Sequence, residues 1–183
     1  MPFRMVVSVV AKNKTCALDG SELVCWGSAS SKLSGFDNPR SLSIGPYGAC
    51  LIDDSGVHCW RKRLTDGLPV DLSEPQQISL GESHACVLDS QGVQCWGNND
   101  NGQASVPDEL VNPTRISCGA THSCALDRSG VRCWGANYNG QSQPPIDLQL
   151  PVQISAGHTH TCALDDSGIR CWGDQYPDYI AHQ

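Results

Sequence analysis

Eleven cysteines are the residues with the plainest chemical potential in this 183-residue chain, and ten of them form pairs of one spacing. Cys16 goes with Cys25, Cys50 with Cys59, Cys86 with Cys95, Cys124 with Cys133, and Cys162 with Cys171. Two thiols at a fixed separation can bridge as a disulfide or hold a metal. Zinc sites use knuckles in which about two to four residues intervene, whereas eight intervene in every pair here. Bridging is therefore the expected chemistry, and no metal site is assigned. Reduced, buried pairs are the rival reading. They would move the expected compartment from the exterior, the cell surface or the periplasm to the cytoplasm. The eleventh cysteine, Cys118, aligns with Val10, Ile44, Leu80 and Ala156 and reads as a buried small hydrophobe.

Histidines and carboxylates recur with the same rhythm. His84, His122 and His160 stand two before the first cysteine of their pairs, where Lys14 and Gly48 stand in the other two copies. Three imidazoles could converge on a metal, as a metal-dependent hydrolase or lyase would require, but hydrogen bonding within each unit is the expectation. Asp19, Asp53, Asp89, Asp127 and Asp165 each follow the first cysteine by three, a turn position at which a carboxylate caps backbone amides. Acid and base catalysis needs two carboxylates facing one cleft, and one per unit does not supply that. No phosphate-binding loop, nucleophile elbow or zinc-protease helix signature is present. The chain is expected to be a non-enzyme without cofactors.

The elements that carry these residues are five copies of one unit. Successive pairs are offset by 34, 36, 38 and 38 residues, a tandem array that assigns residues 1–183 to one domain with repeats at about 6–39, 40–75, 76–113, 114–151 and 152–183. Within a unit, Asp165-Asp166-Ser167-Gly168 is a hairpin turn. With Asp166 and Ser167 in the loop, Cys162 faces Cys171 at a non-hydrogen-bonded pair, where Cα atoms lie about 4.5 Å apart. Alternation places Cys162, Leu164, Ile169 and Cys171 on one face and Ala163 and Trp172 on the other. A sheet that is apolar on both faces must be sandwiched, and its neighbours in a tandem array are the adjoining copies. Trp26, Trp60, Trp96, Trp134 and Trp172 recur once per unit and are expected to pack between units, each indole N–H finding one acceptor.

The fourth copy, ISCGATHSCALDRSGVRCWGANYNGQ, and the third, ISLGESHACVLDSQGVQCWGNNDNGQASVP, resemble the repeat of the regulator of chromosome condensation family in its short bacterial form. The third is also similar to repeats of the propeller-type β-lactamase inhibitory protein. The resemblance implies an all-β fold, a β-propeller of small antiparallel blades, of which family members usually have seven. Five copies imply either a closed five-bladed ring, the first expectation, or an incomplete arc completed by another chain. Copies one, two and five lack the N-x-x-GQ element.

Nineteen acidic against twelve basic residues give a formal charge of −7, which opposes nonspecific attraction to nucleic acid. No apolar run approaches the roughly 20 residues of a membrane-spanning helix. Function is thus expected in loops, as a protein-binding module that is secreted or surface-exposed. The candidate segments are Arg61-Lys62-Arg63 and the set Asn137, Tyr138, Asn139 and Gln141, whose aromatic and amides suit a protein or glycan partner. Self-association through end blades, making a structural subunit, is the alternative.

Overall fold

The computed structural model describes residues 6–10, 14–19, 21–27, 31–60 and 65–174. Each repeat forms one antiparallel sheet in which consecutive strands pair. The first is four-stranded: β1 (Val6–Val10), β2 (Lys14–Asp19), β3 (Glu22–Gly27) and β4 (Ser31–Ser34). The others are three-stranded. They are β5 (Ser41–Gly45), β6 (Gly48–Asp53) and β7 (Gly56–Trp60); β8 (Gln77–Leu80), β9 (His84–Asp89) and β10 (Gly92–Gly97); β11 (Arg115–Cys118), β12 (His122–Asp127) and β13 (Gly130–Gly135); β14 (Gln153–Ala156), β15 (His160–Asp165) and β16 (Gly168–Gly173). These five sheets are the blades of an all-β propeller, numbered one to five along the chain. Among the described residues no helix is long and apolar enough to cross a membrane.

The hairpin register follows from its two-residue turn. Asp165 pairs with Gly168, so counting outward sets Cys162 opposite Cys171, and every other blade repeats this. All five pairs lie at disulfide distance, with Cα atoms 4.0–4.1 Å apart. Cys118 is the one free cysteine and is buried.

Blades are joined face to face by four apolar clusters. At the junction of blades three and four, Leu88 and Cys86 lie under Ile116, Ala125 and Trp134, with Val106 and Leu110 of the connector sealing the edge. Leu126 and Cys124 lie in the same way under Ile154, Ala163 and Trp172. Each such aliphatic or aromatic side chain stabilises the junction by about 1.5–3 kcal/mol when fully buried. The indole N–H groups find the acceptors their burial requires: Trp134 donates to the Gln103 carbonyl at 2.9 Å and Trp172 to the Gln141 carbonyl at 3.0 Å.

The ring is open. The first strands of successive blades pack as β1 on β5, β5 on β8, β8 on β11 and β11 on β14, and among the described residues no comparable junction returns from β14 to β1. Of the two architectures expected, a closed five-bladed ring or an incomplete arc, this arrangement of the described residues is consistent with the incomplete arc. At blade one Trp26 is 49% exposed where Trp96, Trp134 and Trp172 are buried. Each of the four connectors entering a new blade passes through a positive φ just before a proline, at Asn38, Glu74, Asn112 and Leu150. Asn tolerates that conformation readily, whereas Glu and Leu adopt it at some cost.

Candidate functional site

The repeated carboxylates are turn supports. One oxygen of Asp165 accepts the amide and hydroxyl of Ser167 at 2.8 and 2.6 Å, and the other accepts the Gln149 amide, sixteen residues upstream, at 2.8 Å. Asp53, Asp89 and Asp127 make the corresponding bonds to Asp37, Ser73 and Val111. At Asp53 and Asp127 burial works to raise the carboxyl pKa, but bonds donated by Ser55 and His58, and by Ser129, outweigh it and hold both below the ordinary carboxylate range. The Ser167 bond does the same for Asp165. A general acid at neutral pH needs the opposite displacement, so these groups are locked as anionic caps.

The histidines join blades. His84 Nε2 lies 2.8 Å from the Ser123 hydroxyl of the next blade, and His122 Nε2 lies 2.8 Å from the Thr161 hydroxyl. Each hydroxyl donates onward to a carbonyl, of Gln103 and Gln141 respectively, so the imidazole nitrogen is the donor. The expectation of hydrogen bonding within a blade is corrected: the partner lies 39 residues on, in the next blade. His84, Cys86 and Cys118 place their donor atoms within 4.8 Å of one another. Cys86 is engaged with Cys95, which leaves two donors, fewer than a stable metal site takes.

The remaining organised surface is the end of the arc where third strands exit. There Asn98, Ala136 and Asp174 donate amides to the carbonyls of Ser83, Thr121 and Thr159, tying each exit to the first turn of its own blade. The following loops are built from side-chain caps on backbone. The Asn99 carbonyl oxygen accepts the Ala104 amide at 2.8 Å, and the Gln103 side chain accepts Asn101 N–H at 2.9 Å; one blade on, Asn137 accepts Ser142 N–H at 3.1 Å and Gln141 accepts Asn139 N–H at 2.9 Å. Gln103 and Gln141 are fully buried at the loop roots. Tyr138 stands 85% exposed at the tip, and its hydroxyl donates to Asn101 of the neighbouring loop at 3.0 Å. In the turn between β5 and β6, Tyr47 donates to Glu82 at 3.4 Å. A depression of about 260 Å³ is lined by Pro46, Glu82, Ala120 and His158 together with strand-end glycines.

Of the residues singled out from sequence, Asn137, Tyr138 and Asn139 are exposed on this face while Gln141 holds the loop from within. Arg61, Lys62 and Arg63 lie outside the described residues. Glu82 and Tyr47 were not singled out, because neither type recurs at its repeat position.

Residues 76–103, 114–141 and 152–176 match the regulator of chromosome condensation (RCC1) repeat. These residues make up blades three to five, which are similar to that repeat. Solved structures agree on the fold. The Crinkly WD40 ectodomain of the Arabidopsis thaliana receptor kinase ACR4 is similar at 23% identity and TM-score 0.76, over 93% of this chain and 64% of that one. The entire ectodomain of the Physcomitrella patens receptor kinase CR4 gives 23% and 0.76, over 92% and 52%. Prp20p of Saccharomyces cerevisiae gives 18% and 0.66, over 88% and 55%. The chain thus spans between about half and two thirds of these relatives. No curated protein matches it. Of the three matched blades, three and four carry both the His bridge and the buried-Gln loop, the two devices that fix blade to blade.

Proposed function

We propose that this chain is a protein-binding propeller and that its contact surface is the loop face bearing Tyr138. The observation that carries this reading is an aromatic ring 85% exposed yet held at its hydroxyl by a neighbouring blade. A tyrosine so held contributes contact area at little further loss of conformational freedom. Half-buried Asn101 accepts its hydroxyl, Asn99 and Asn137 are exposed on the same loops, and Glu82 and Asp100 add negative charge. This arrangement suits a polypeptide surface carrying donors and positive charge. Prp20p, a neighbour in fold, is described by its binding to Gsp1p and histones, which supports protein partners for such a scaffold. Five cross-strand cysteine pairs at bonding distance favour an oxidising compartment, so the binding surface is assigned to the exterior of the cell or its surface.

The test is affinity capture from the source organism's extracellular proteins, comparing the full chain with a Tyr47→Ala, Tyr138→Ala double variant and with Gln91→Ala on the opposite end of blade three. A specifically captured protein should bind the double variant at least about tenfold more weakly, the loss of an aromatic hot spot, and should bind the Gln91 variant unchanged. Equal capture by all three contradicts the reading.

A further inference from the structure

At the hairpin-turn end of the blades, opposite the loop face, two grooves of one design lie between a turn and the connector into the next blade. The groove between blades three and four holds about 600 Å³ and that between blades four and five about 610 Å³. Their frame is shared, for Pro107 and Pro145, Leu110 and Leu148, and Pro113 and Pro151 stand at equivalent places of the two connectors. Their linings differ in kind. Ser90, Gln94, Asp108 and Asn112 around the first are replaced around the second by Arg128, Arg132, Ile146 and Leu150.

The second groove is apolar where the fold does not require it. Ile146, Leu150 and Val152 line it at 105%, 75% and 55% exposure, so they add little to the core. Leu150 also holds φ at 49°, a conformation that its counterpart Asn112 tolerates and that leucine adopts at a cost. Strain kept where the fold gains nothing points to a use outside the fold. The charge is as local as the apolar surface. Among residues 65–174 the only lysines or arginines are Arg115, Arg128, Arg132 and Arg170. Arg128 and Arg132 line the groove, while Arg115 donates to the Val152 carbonyl at 3.1 Å and Arg170 pairs with Asp147 at 3.0 Å. Arg132 is held at Nε by Asp127 at 3.2 Å and by the Ser129 hydroxyl at 3.1 Å. Among the described residues no acceptor bonds its terminal nitrogens, which are left to take a second carboxylate beside exposed Arg128.

We infer that the groove between the blade-four turn and the connector 144–152 is a docking site for an extended acidic segment of a partner protein. The segment sets aliphatic side chains on Ile146, Leu150 and Val152 and a carboxylate between Arg128 and Arg132. Two arginines gathered on a chain of formal charge −7 select the occupant by the sign of its charge. Pro144, Pro145 and Pro151 stiffen the apolar wall, so little freedom is lost when it is covered. A small molecule is a poorer occupant, because bound ligands of that size bury most of their surface, and the apolar residues of this wall stand more than half exposed. Further chain of the same protein is not what the groove lacks. Each connector lies along the junction that follows its own blade, residues 98–113 beside blades three and four and residues 136–151 beside blades four and five, and the latter already forms one wall. The corresponding groove one blade earlier is open as well, lined by polar residues that water satisfies.

The experiment titrates the isotope-labelled, oxidised full chain with two end-capped peptide libraries. Both draw on valine, leucine, proline and serine, and they differ in carrying glutamate or lysine. The glutamate library is expected to shift the methyl resonances of Ile146, Leu150 and Val152 and the Nε–H signals of Arg128 and Arg132, and the lysine library to leave them in place. A triple variant, Arg128→Ser, Ile146→Asp and Leu150→Asn, gives this groove the residues found at 90, 108 and 112. It is expected to bind the glutamate library at least about tenfold more weakly, with a urea midpoint no lower than before, since asparagine suits the positive φ at position 150. A lowered midpoint overturns the inference, because the three side chains then serve the fold. Absence of shifts at millimolar total peptide, or equal shifts with both libraries, overturns it too. So do nuclear Overhauser contacts in the free chain between residues 175–183 and Ile146 or Leu150, which make the chain its own occupant. Sedimentation of the free chain as a dimer that Leu150→Asn dissociates does the same, because the occupant is then a second copy. The Tyr138 reading survives each of these results, since it rests on the other end of the blades.

Discussion

Gly119→Ala is expected to cost the folded protein about 3 kcal/mol or more, a loss typical of overpacking against fixed neighbours. A Cβ built on Gly119 overlaps Cε1 of His122 and lies 2.5 Å from the Gly157 carbonyl oxygen. Neither neighbour can step aside. The imidazole is held by Thr161 at 2.8 Å, and the carbonyl accepts the Ala120 amide at 3.1 Å. Both bonds run between blades four and five, so relief of the clash must open that junction. Gly81 faces the same situation one blade earlier, against His84 and the Gly119 carbonyl. Urea unfolding at pH 7, followed by tryptophan fluorescence, should show the midpoint of Gly119→Ala lowered by about 1 M or more. A midpoint within error of the unsubstituted protein would contradict this packing.

Mild acid should destabilise the arc before the capping aspartates Asp53, Asp127 and Asp165 titrate. Burial lowers the pKa of His84 from 6.5 to about 4, helped by the charge of nearby His122, and burial lowers that of His122 to about 4, helped by His160. The second nitrogen, Nδ1, of each ring is buried without a partner, so a proton added there has nowhere to donate. A base whose pKa is depressed on folding binds its proton more readily in the unfolded chain. Its contribution is fully present above pH 6.5 and is lost as pH falls toward 4. At about 1.4 kcal/mol per pH unit, each ring removes roughly 3 kcal/mol across that window. Asp53, Asp127 and Asp165 are displaced below the usual carboxylate range, so their contribution persists above pH 3.8 and disappears only under stronger acid. Unfolding free energies measured from pH 7 to pH 4 should therefore fall steeply through the histidine window. A flat profile there would show the two imidazoles to be solvated.

The hairpin was legible in the chain because its information is local. A nine-residue spacing and a two-residue turn admit one register, and Cys162 does face Cys171. The second oxygen of each turn aspartate was not legible, since its partner is a backbone amide sixteen residues upstream whose residue type changes from blade to blade, Asp37, Ser73, Val111 and Gln149. The histidine partners were missed for a related reason: Ser123 and Thr161 are unremarkable beside their cysteines until the blades are stacked. Gln103 and Gln141 looked like turn residues, yet the N-x-x-GQ element is a buried prop whose carbonyl serves both an indole and a hydroxyl. One signal was available and unused. Serine stands seven before the first cysteine at Ser43, Ser79, Ser117 and Ser155, and a polar residue fixed in an otherwise apolar strand marks a hydrogen bond to a neighbouring unit. Whether the ring closed could not be read at all, because the curvature of stacked blades is a property of the junctions.

The central claim is that five identical staples set the register of five blades. In the chain-entropy picture each closed loop of about ten residues contributes roughly 2.7 kcal/mol, and each lies between the two strands that carry the junction residues. Peptide mapping by mass spectrometry under non-reducing conditions, after alkylation in denaturant, tests it directly. The account predicts five linkages, Cys16–Cys25, Cys50–Cys59, Cys86–Cys95, Cys124–Cys133 and Cys162–Cys171, with alkylation at Cys118 alone. Eleven alkylated cysteines, or linkages that cross from one blade to another, would contradict it.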